Sequence, residues 1–129
     1  MAKNQFEGFK KLGFITFWRG FRDDPIWKEK RKFSQFEAWF DMYIEASGVD
    51  RSVEFRKRII DLKRGQLVVS QRALAKRWKW HRTKAVRFLR KLEGRKIIFI
   101  ETLSLSPPCS IITFLNYNEL NPINKKNEK

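Results

Sequence analysis

The sequence predicts an α+β fold that is mainly helical with a small β-sheet. With 129 residues, the chain is long enough to bury one hydrophobic core without disulfides or metals. Apolar residues recur at helical spacing in its central part, and two β-branched segments follow them. We expect one folded domain over residues 13–120, a flexible N-terminal arm over 1–12 and a disordered polar tail over 121–129.

Composition argues against several classes of protein. Hydrophobic residues make up 42% of the chain and aromatic residues 15%, which is too apolar for a disordered protein. No apolar run approaches the roughly 18 residues of a membrane span, and the N-terminus has no signal-peptide pattern. One cysteine and one histidine predict neither an internal disulfide nor a zinc site. We therefore expect a reduced, cytoplasmic protein without a metal, a cofactor or membrane contact.

The first apolar segment is GFITFWRGF, residues 13–21. It predicts either a strand or an extended arm that packs on the core. The following stretch, DDPIWKEK, predicts a turn that opens a short helix, because Asp24 suits an N-cap and Pro25 the first helical position. The pair Asp23 and Asp24 is interpreted as capping chemistry and not as a metal site, since no histidine or third carboxylate is nearby in the sequence.

A longer helix is predicted from Ser34 to Gly48. Ser34 and Glu37 have the spacing of a capping box, and Gly48 is a typical C-terminal stop. The expected core face consists of Phe36, Trp39, Phe40, Tyr43 and Ile44. Val53–Leu62 is compatible either with a further helix or with a loop that leads into extended chain.

Two short helices joined by a tight turn follow a small strand. The β-branched segment from Gly65 to Ser70 predicts the strand, and Ser70 also caps the next helix. That helix should bury Ala73, Leu74 and Trp78. After the break KWH, a second helix is predicted from Arg82 to Glu93, stopped by Gly94, with a core face of Ala85, Phe88, Leu89 and Leu92. The arrangement is a helix-turn-helix.

The C-terminal segments Lys96–Leu103 and Ser110–Tyr117 are both β-rich. The sequence SLSPPC separates them, and its two prolines belong in a connecting loop because proline cannot donate in a β-ladder. The pair predicts a β-hairpin. The complete order is helix, strand, helix, turn, helix, strand, loop, strand, which is the order of a winged helix-turn-helix.

Positive charge is concentrated in one third of the chain. The net charge is +15. Residues 56–96 contain 16 Lys/Arg and two acids, a net of +14, whereas the remainder contains 13 Lys/Arg and 12 acids, a net of +1. Such concentration favours a polyanionic partner, and we expect double-stranded DNA.

The helix predicted over residues 82–93 has a cationic face opposite its apolar face. A helix of this kind fits the DNA major groove, where residues near its N-terminus meet base edges. The candidates for base contacts are Arg82, Thr83, Lys84 and Arg87. Phosphate contacts are expected from the remaining cations of the two helices and the turn, namely Lys76, Arg77, Lys79, Arg90 and Lys91.

Residues near the turn have several interpretations. His81 can cap the second helix, donate to a phosphate or fill the turn. Trp78 continues an apolar face and is expected in the core, whereas Trp80 is compatible with packing or with base stacking. The loop of the C-terminal hairpin has no Lys or Arg, so the recognition helix should dominate DNA contact, and a cluster at residues 56–58 extends the footprint or contacts a partner.

Catalysis is not expected. The sequence has no glycine motif that would hold phosphates, and no pairing of a nucleophile with a base is evident. Its one histidine lies among cations, and Cys109 follows two prolines in the predicted loop without a nearby base. We therefore interpret the chain as a binding protein and not as an enzyme.

The motifs DDPIW, AWFDM, LKRGQLVVSQRALAKRWKWHRTKAVRFLRKLE and ITFLNYNEL carry a family resemblance. From Gly13 to Leu120 the chain resembles the N-terminal winged-helix domain of phage replication-initiation and replisome-organiser proteins related to DnaD. The resemblance implies origin DNA binding or self-association. A second domain that helps to recruit helicase often follows in that family, but this chain ends at Lys129, and it has His81 where a Ser or Thr cap is common.

Three functions are consistent with these observations. The first is phage or prophage replication initiation, in which the protein reads duplex DNA in the bacterial cytoplasm at the nucleoid. The partners expected there are duplex DNA, further copies of the chain, and a helicase or helicase loader. The second is a small winged-helix transcriptional regulator. The third is a module that oligomerises through the aromatic N-terminal half and binds DNA secondarily.

Overall fold

The computed structural model describes residues 9–103 and 108–121. Residues 1–8, most of the predicted arm, and 122–129, most of the predicted tail, lie outside the described residues, as does the loop 104–107. The helices are α1 (Pro25–Lys28), α2 (Gln35–Glu45), α3 (Gln71–Trp78), α4 (Arg82–Gly94) and α5 (Tyr117–Leu120). The strands are β1 (Arg51–Phe55), β2 (Arg58–Leu62), β3 (Gln66–Val69), β4 (Ile98–Leu103) and β5 (Cys109–Phe114).

Two small antiparallel sheets accompany the helices, so the predicted α+β class is confirmed. β3, β5 and β4 form a three-stranded sheet in that order, with β5 in the centre. Its register pairs Leu67 with Ile112 and Ile100 with Ile112. β1 and β2 form a separate hairpin.

The core lies between the three-stranded sheet and helices α2, α3 and α4. Each helix contributes one apolar stripe, as amphipathic helices do. The most deeply buried side chains include Met42, Leu67, Trp78, Leu89 and Ile112, none of which is more than 1% exposed. Because α4 packs its whole apolar face into this core, its opposite face must point to solvent.

Helix α2 begins as predicted and ends earlier. The Ser34 side chain accepts a hydrogen bond from the Glu37 backbone, and the Glu37 carboxylate accepts one from the Ser34 backbone at 2.8 Å. The predicted stop at Gly48 is wrong, because the helix ends at Glu45 with Ala46 in an extended conformation. Arg19 binds this end, since its guanidinium donates to the carbonyls of residues 44 and 46.

The predicted core face of α2 is only partly right. Ala38, Asp41, Met42 and Ile44 are its buried residues, whereas Phe36 is 65% exposed. The remaining aromatic residues, Trp39, Phe40 and Tyr43, are half-buried around the edge of the core. Ala38 and Met42 are the fully buried residues of this helix face instead. Burial, reinforced by Tyr117, raises the pKa of Tyr43 to about 12.

For Val53–Leu62 the sequence predicted either a helix or a loop that leads into extended chain, and the structure has neither arrangement. Residues 51–62 form the β1–β2 hairpin, with a two-residue turn at Arg56 and Lys57. Both turn residues have positive φ, 52° and 63°, which is the signature of a type I′ hairpin turn. The turn lacks the usual Asn-Gly, so the sequence gives little local indication of it.

The two helices after β3 are confirmed. Ser70 caps α3, and α4 buries its four predicted apolar residues. Between the helices, Lys79 adopts the left-handed conformation that reverses the chain. One core residue of α3 was predicted wrongly: Ala73 is exposed and Ala75 is buried. Gly94 is the last residue of α4, and the left-handed position after it belongs to Lys96 with φ 61°.

The predicted C-terminal hairpin is confirmed as β4 paired with β5, and Pro108 lies outside both strands. The predicted strand end at Tyr117 is wrong, because Tyr117 starts α5. Its ring lies against Gly65, where an added Cβ would be 2.9 Å from the Cβ of Tyr117. Gly65 also has φ 88°, so both space and backbone require glycine there.

In the N-terminal part, Phe9–Leu12 and Arg19–Asp23 are short 3-10 helices. Residues 13–18 form no strand, so the strand alternative is wrong, and because all six are exposed, an arm that packs on the core describes them only in part. Phe17 makes edge contacts with Phe21 and Phe40. The predicted short helix is confirmed as α1, with the Asp24 carboxylate accepting from the Ile26 backbone at 2.9 Å.

The capping box predicts an acid-sensitive contribution to stability. Hydrogen bonds from the Ser34 backbone and from Arg31 hold the pKa of Glu37 below its usual 4.5. Because the folded-state pKa is lowered, the contribution is complete above the unfolded value and is lost as pH falls through the folded value. Glu37→Gln keeps an acceptor for the Ser34 N–H but removes the charge, so we expect it to lower the free energy of unfolding by about 0.5 kcal/mol at neutral pH and to change it less under acid. Urea unfolding between about pH 3 and pH 7 measures this, with exposed Glu29→Gln as control. A uniform loss at all pH values would contradict it.

Candidate nucleic-acid interface

Helix α4 presents the four predicted base-contact residues to solvent. Arg82, Thr83, Lys84 and Arg87 are all exposed, whereas Ala85 and Leu89 are fully buried. The apolar stripe therefore fixes how the helix is rotated. The first turn and a half of α4 forms an open, cationic surface.

Few acids balance this surface. In the described part of the chain, Arg82, Lys84 and Arg87 have no ion pair with a carboxylate. Glu93 lies in the last turn of α4. Its carboxylate accepts hydrogen bonds from Arg90 at 3.1 Å and from the Ile100 backbone N–H at 3.2 Å. Repulsion between the remaining like charges is a cost that an anionic ligand would offset.

Trp80 is a packing residue and not a stacking platform. It is 6% exposed, and its indole N–H donates to the Phe33 carbonyl at 2.7 Å. Its ring contacts Trp78 and Phe88 edge-on. Lys84 places its ammonium 4.5 Å from the ring centroid, so this indole also positions one of the predicted base-contact residues.

His81 caps α4. Its Nδ1 accepts from the Thr83 backbone N–H at 3.1 Å, so of the three alternatives the structure supports a capping role.

Arg77 differs from the other predicted phosphate ligands. Its guanidinium bonds to Asp41 through Nε at 2.8 Å and Nη2 at 2.6 Å. Asp41 is 2% exposed and also accepts from the Trp78 indole at 2.9 Å. Because a buried carboxylate needs a counter-charge, Asp41 holds the Arg77 guanidinium and balances its charge, although 41% of the Arg77 side chain is exposed.

The other predicted phosphate ligands are exposed. Lys76 lies on α3, Lys79 in the turn, and Arg90 and Lys91 on α4. Arg90 is 67% exposed in its side chain and shares its charge with Glu93. These four cations lie along the helix-turn-helix, while Arg77 turns toward α2.

A groove of about 190 Å³ lies between the start of α3, the side of α4 and the end of the β4–β5 hairpin next to its connecting loop. Four arginines line it: Arg56, Arg72, Arg82 and Arg90. No acidic residue is among the described residues that line it, which otherwise include Ser70 and Ser110. Sequence reasoning missed Arg72 and the convergence of the four, because they come from three elements that only the fold brings together.

Arg64 is a structural residue. Its guanidinium donates to the carbonyls of Gly48 and Asn121 and to the Asn118 side chain, and it lies over the Tyr117 ring at 4.8 Å. It thereby ties the loop after α2 to α5. Basic residues in the charged third of the sequence thus serve two purposes: some, such as Arg64, stabilise the fold, and others are exposed to a ligand. The number of charges in the sequence does not distinguish these two roles.

Further features bear on other classes of protein. Among the described residues, no helix is long and apolar enough to cross a membrane. Within the same ranges, no three His, Cys, Asp or Glu side chains come together as a metal site would require. No family model matches the chain, and neither curated proteins nor solved structures give a significant match. The resemblance to replisome organisers therefore remains a prediction, and the evidence for a function is the geometry and the charge of the exposed face of α4.

The different surroundings of Arg77 and Lys76 can be tested by the effect of substitutions at these residues on the stability of the protein. Arg77→Ala leaves Asp41 buried without its counter-charge, so we expect the free energy of unfolding to fall by about 2 kcal/mol. Lys76→Ala removes a solvated charge and should change it by less than about 0.5 kcal/mol. Equal effects in urea unfolding would contradict the assignment of Arg77 as the counter-charge of Asp41.

Proposed function

We propose that the protein is a winged helix-turn-helix module that binds duplex DNA. The observation that carries the proposal is the exposed face of α4, where Arg82, Lys84 and Arg87 have no carboxylate partner among the described residues. The order β3-β5-β4 with α3 and α4 packed against it is consistent with a winged helix. The β4–β5 hairpin is the wing in this interpretation.

In the proposed complex, α4 lies in the major groove. Its diameter with side chains, about 10–12 Å, matches a groove about 12 Å wide. Arg87 is central on the exposed face, and its planar guanidinium can donate two hydrogen bonds to a guanine edge. Arg82, Thr83 and Lys84 meet neighbouring bases from the first turn. Lys76, Lys79, Arg90 and Lys91 contact phosphates on either side.

The biological role proposed is phage or prophage replication initiation, with origin binding and replisome organisation in the bacterial cytoplasm. The support for it is the sequence resemblance over residues 13–120. A helicase or helicase loader is the expected protein partner. A transcriptional regulator would use the same surface, and a neighbouring helicase or loader gene would distinguish the two roles.

Self-association is a second candidate function, favoured by one observation. Large apolar side chains are exposed in the short segment 12–18: Leu12 at 94%, Phe14 at 68%, Ile15 at 88%, Phe17 at 51% and Trp18 at 85%. So many neighbouring apolar side chains in water are typical of a protein–protein contact. We propose a second copy of the chain as the partner.

The DNA-binding proposal predicts a steep dependence on salt. The four phosphate contacts proposed above should contribute about −4 to the log–log slope of the association constant against salt. A fluorescent duplex titrated at several salt concentrations measures the slope. A single strand of the same sequence is the control. Undetectable duplex binding at low salt would overturn the proposal.

The roles within the interface predict two different mutant effects. Arg87→Ala should relax base preference at one position, with a loss of about 1–3 kcal/mol for the preferred duplex. Lys76→Ala should weaken all duplexes alike. Selection from a random duplex pool followed by competition binding measures both. Equal effects on preferred and random duplexes from the two variants would refute the assignments.

The self-association candidate predicts a concentration-dependent mass. Sedimentation velocity of the intact chain should show a dimer or larger species, and Ile15→Ser with Trp18→Ser should shift it toward monomer. Ile26→Ser, at an exposed residue outside the segment, is the control. A strict monomer at high concentration would exclude this candidate while leaving the DNA proposal intact.

A further inference from the structure

The β1–β2 hairpin contributes little to the core. Of residues 51–62, all of which the structure describes, only Leu62 is buried. Ile59 is 72% exposed, and the hairpin belongs to a sheet of its own. Isolated two-stranded hairpins have marginal stability, so packing alone does not account for this one.

The tip of the hairpin has an unfavourable composition for its shape. A type I′ turn requires positive φ at both central positions and favours Asn-Gly. Here Arg56 and Lys57 occupy these positions, although β-carbon contacts disfavour left-handed backbone for such residues. With Arg58, three cations follow one another. Backbone strain at such a site is typical of a binding function.

The fold brings this tip to the proposed DNA-binding face. Arg56 lines the arginine groove together with Arg82 and Arg90 of α4, and with Arg72 at the start of α3. Its guanidinium also lies 5.1 Å from the Phe55 ring centroid, which holds the side chain close to the hairpin. The tip and the recognition helix therefore flank the same groove.

The β4–β5 hairpin cannot supply this charge. Its connecting sequence, residues 104–109, contains no Lys or Arg. A hairpin beside a recognition helix that contacts the DNA backbone needs cations at its tip. In this chain those cations are in the other hairpin, at residues 56–58.

We propose that the β1–β2 tip is a second DNA-contacting hairpin that clamps the sugar–phosphate backbone beside the helix in the groove. The inference rests on the proposed duplex binding and adds its own contact residues. Arg56 and Lys57 bind phosphates and no base edges. The arginine groove between the tip and α4 receives the phosphates of the DNA strand that crosses it.

The test uses a substitution that improves the turn and removes its charge. Arg56→Asn with Lys57→Gly places the favoured Asn-Gly pair in the type I′ turn, so thermal stability should stay equal or rise. The salt slope for a fluorescent mixed-sequence duplex should become less steep by about two, with base preference unchanged. A merely structural role would give the reverse, a loss of stability without a change of slope.

Two further variants complete the test. Arg56→Gln with Lys57→Gln keeps the backbone strain and should reduce the slope by the same amount. Lys63→Asn with Lys96→Gly removes two cations, one of them at positive φ, away from the groove, and should leave the slope unchanged. An unchanged slope in both tip variants overturns this inference while wild-type binding stands. No duplex binding by the wild type overturns the proposed function itself.

Discussion

The buried carboxylate of Asp41 is the constraint on which the rest of the structure depends. It accepts from the Trp78 indole and from Arg77, and so fixes the end of α3 against α2. Phe33 secures the adjoining turn, because its backbone donates to the Trp78 carbonyl and accepts from the Trp80 indole. Both indoles contact Phe88 on α4. These polar groups therefore hold in place the two indoles against which Phe88 of the cationic helix packs.

The arginines divide into two groups with different surroundings. Arg19, Arg31, Arg64 and Arg77 bind carbonyls, carboxylates or aromatic rings, and all of them except Arg31 join segments that are distant in sequence. A planar guanidinium with five donors suits such junctions better than an ammonium group. Arg72, Arg82 and Arg87 are exposed instead, and Arg90 shares its charge with Glu93. The net charge available to a polyanion is consequently smaller than the total, but it is concentrated on one side.

Local sequence signals predicted those features of the fold that depend on residues a few positions apart. The capping box of α2, the ends of α3 and the buried face of α4 follow from spacing over a few positions, and all were correct within one or two residues. The β1–β2 hairpin was missed, since Arg56 and Lys57 give no turn signal and its strands alternate weakly. The role of Arg77 was missed because its partner, Asp41, lies 36 residues away. The arginine groove depends on three elements meeting, which no spacing rule contains.

Cys109 lies where the groove meets the β-sheet, and it is the one cysteine of the chain. It is 2% exposed and pairs with Leu103 at the end of the hairpin ladder. A thiol reagent can reach it only when this end of the sheet opens, so the labelling rate reports the free energy of that local opening. The native chain thus carries its own chemical probe of motion at the proposed binding face, without an engineered label.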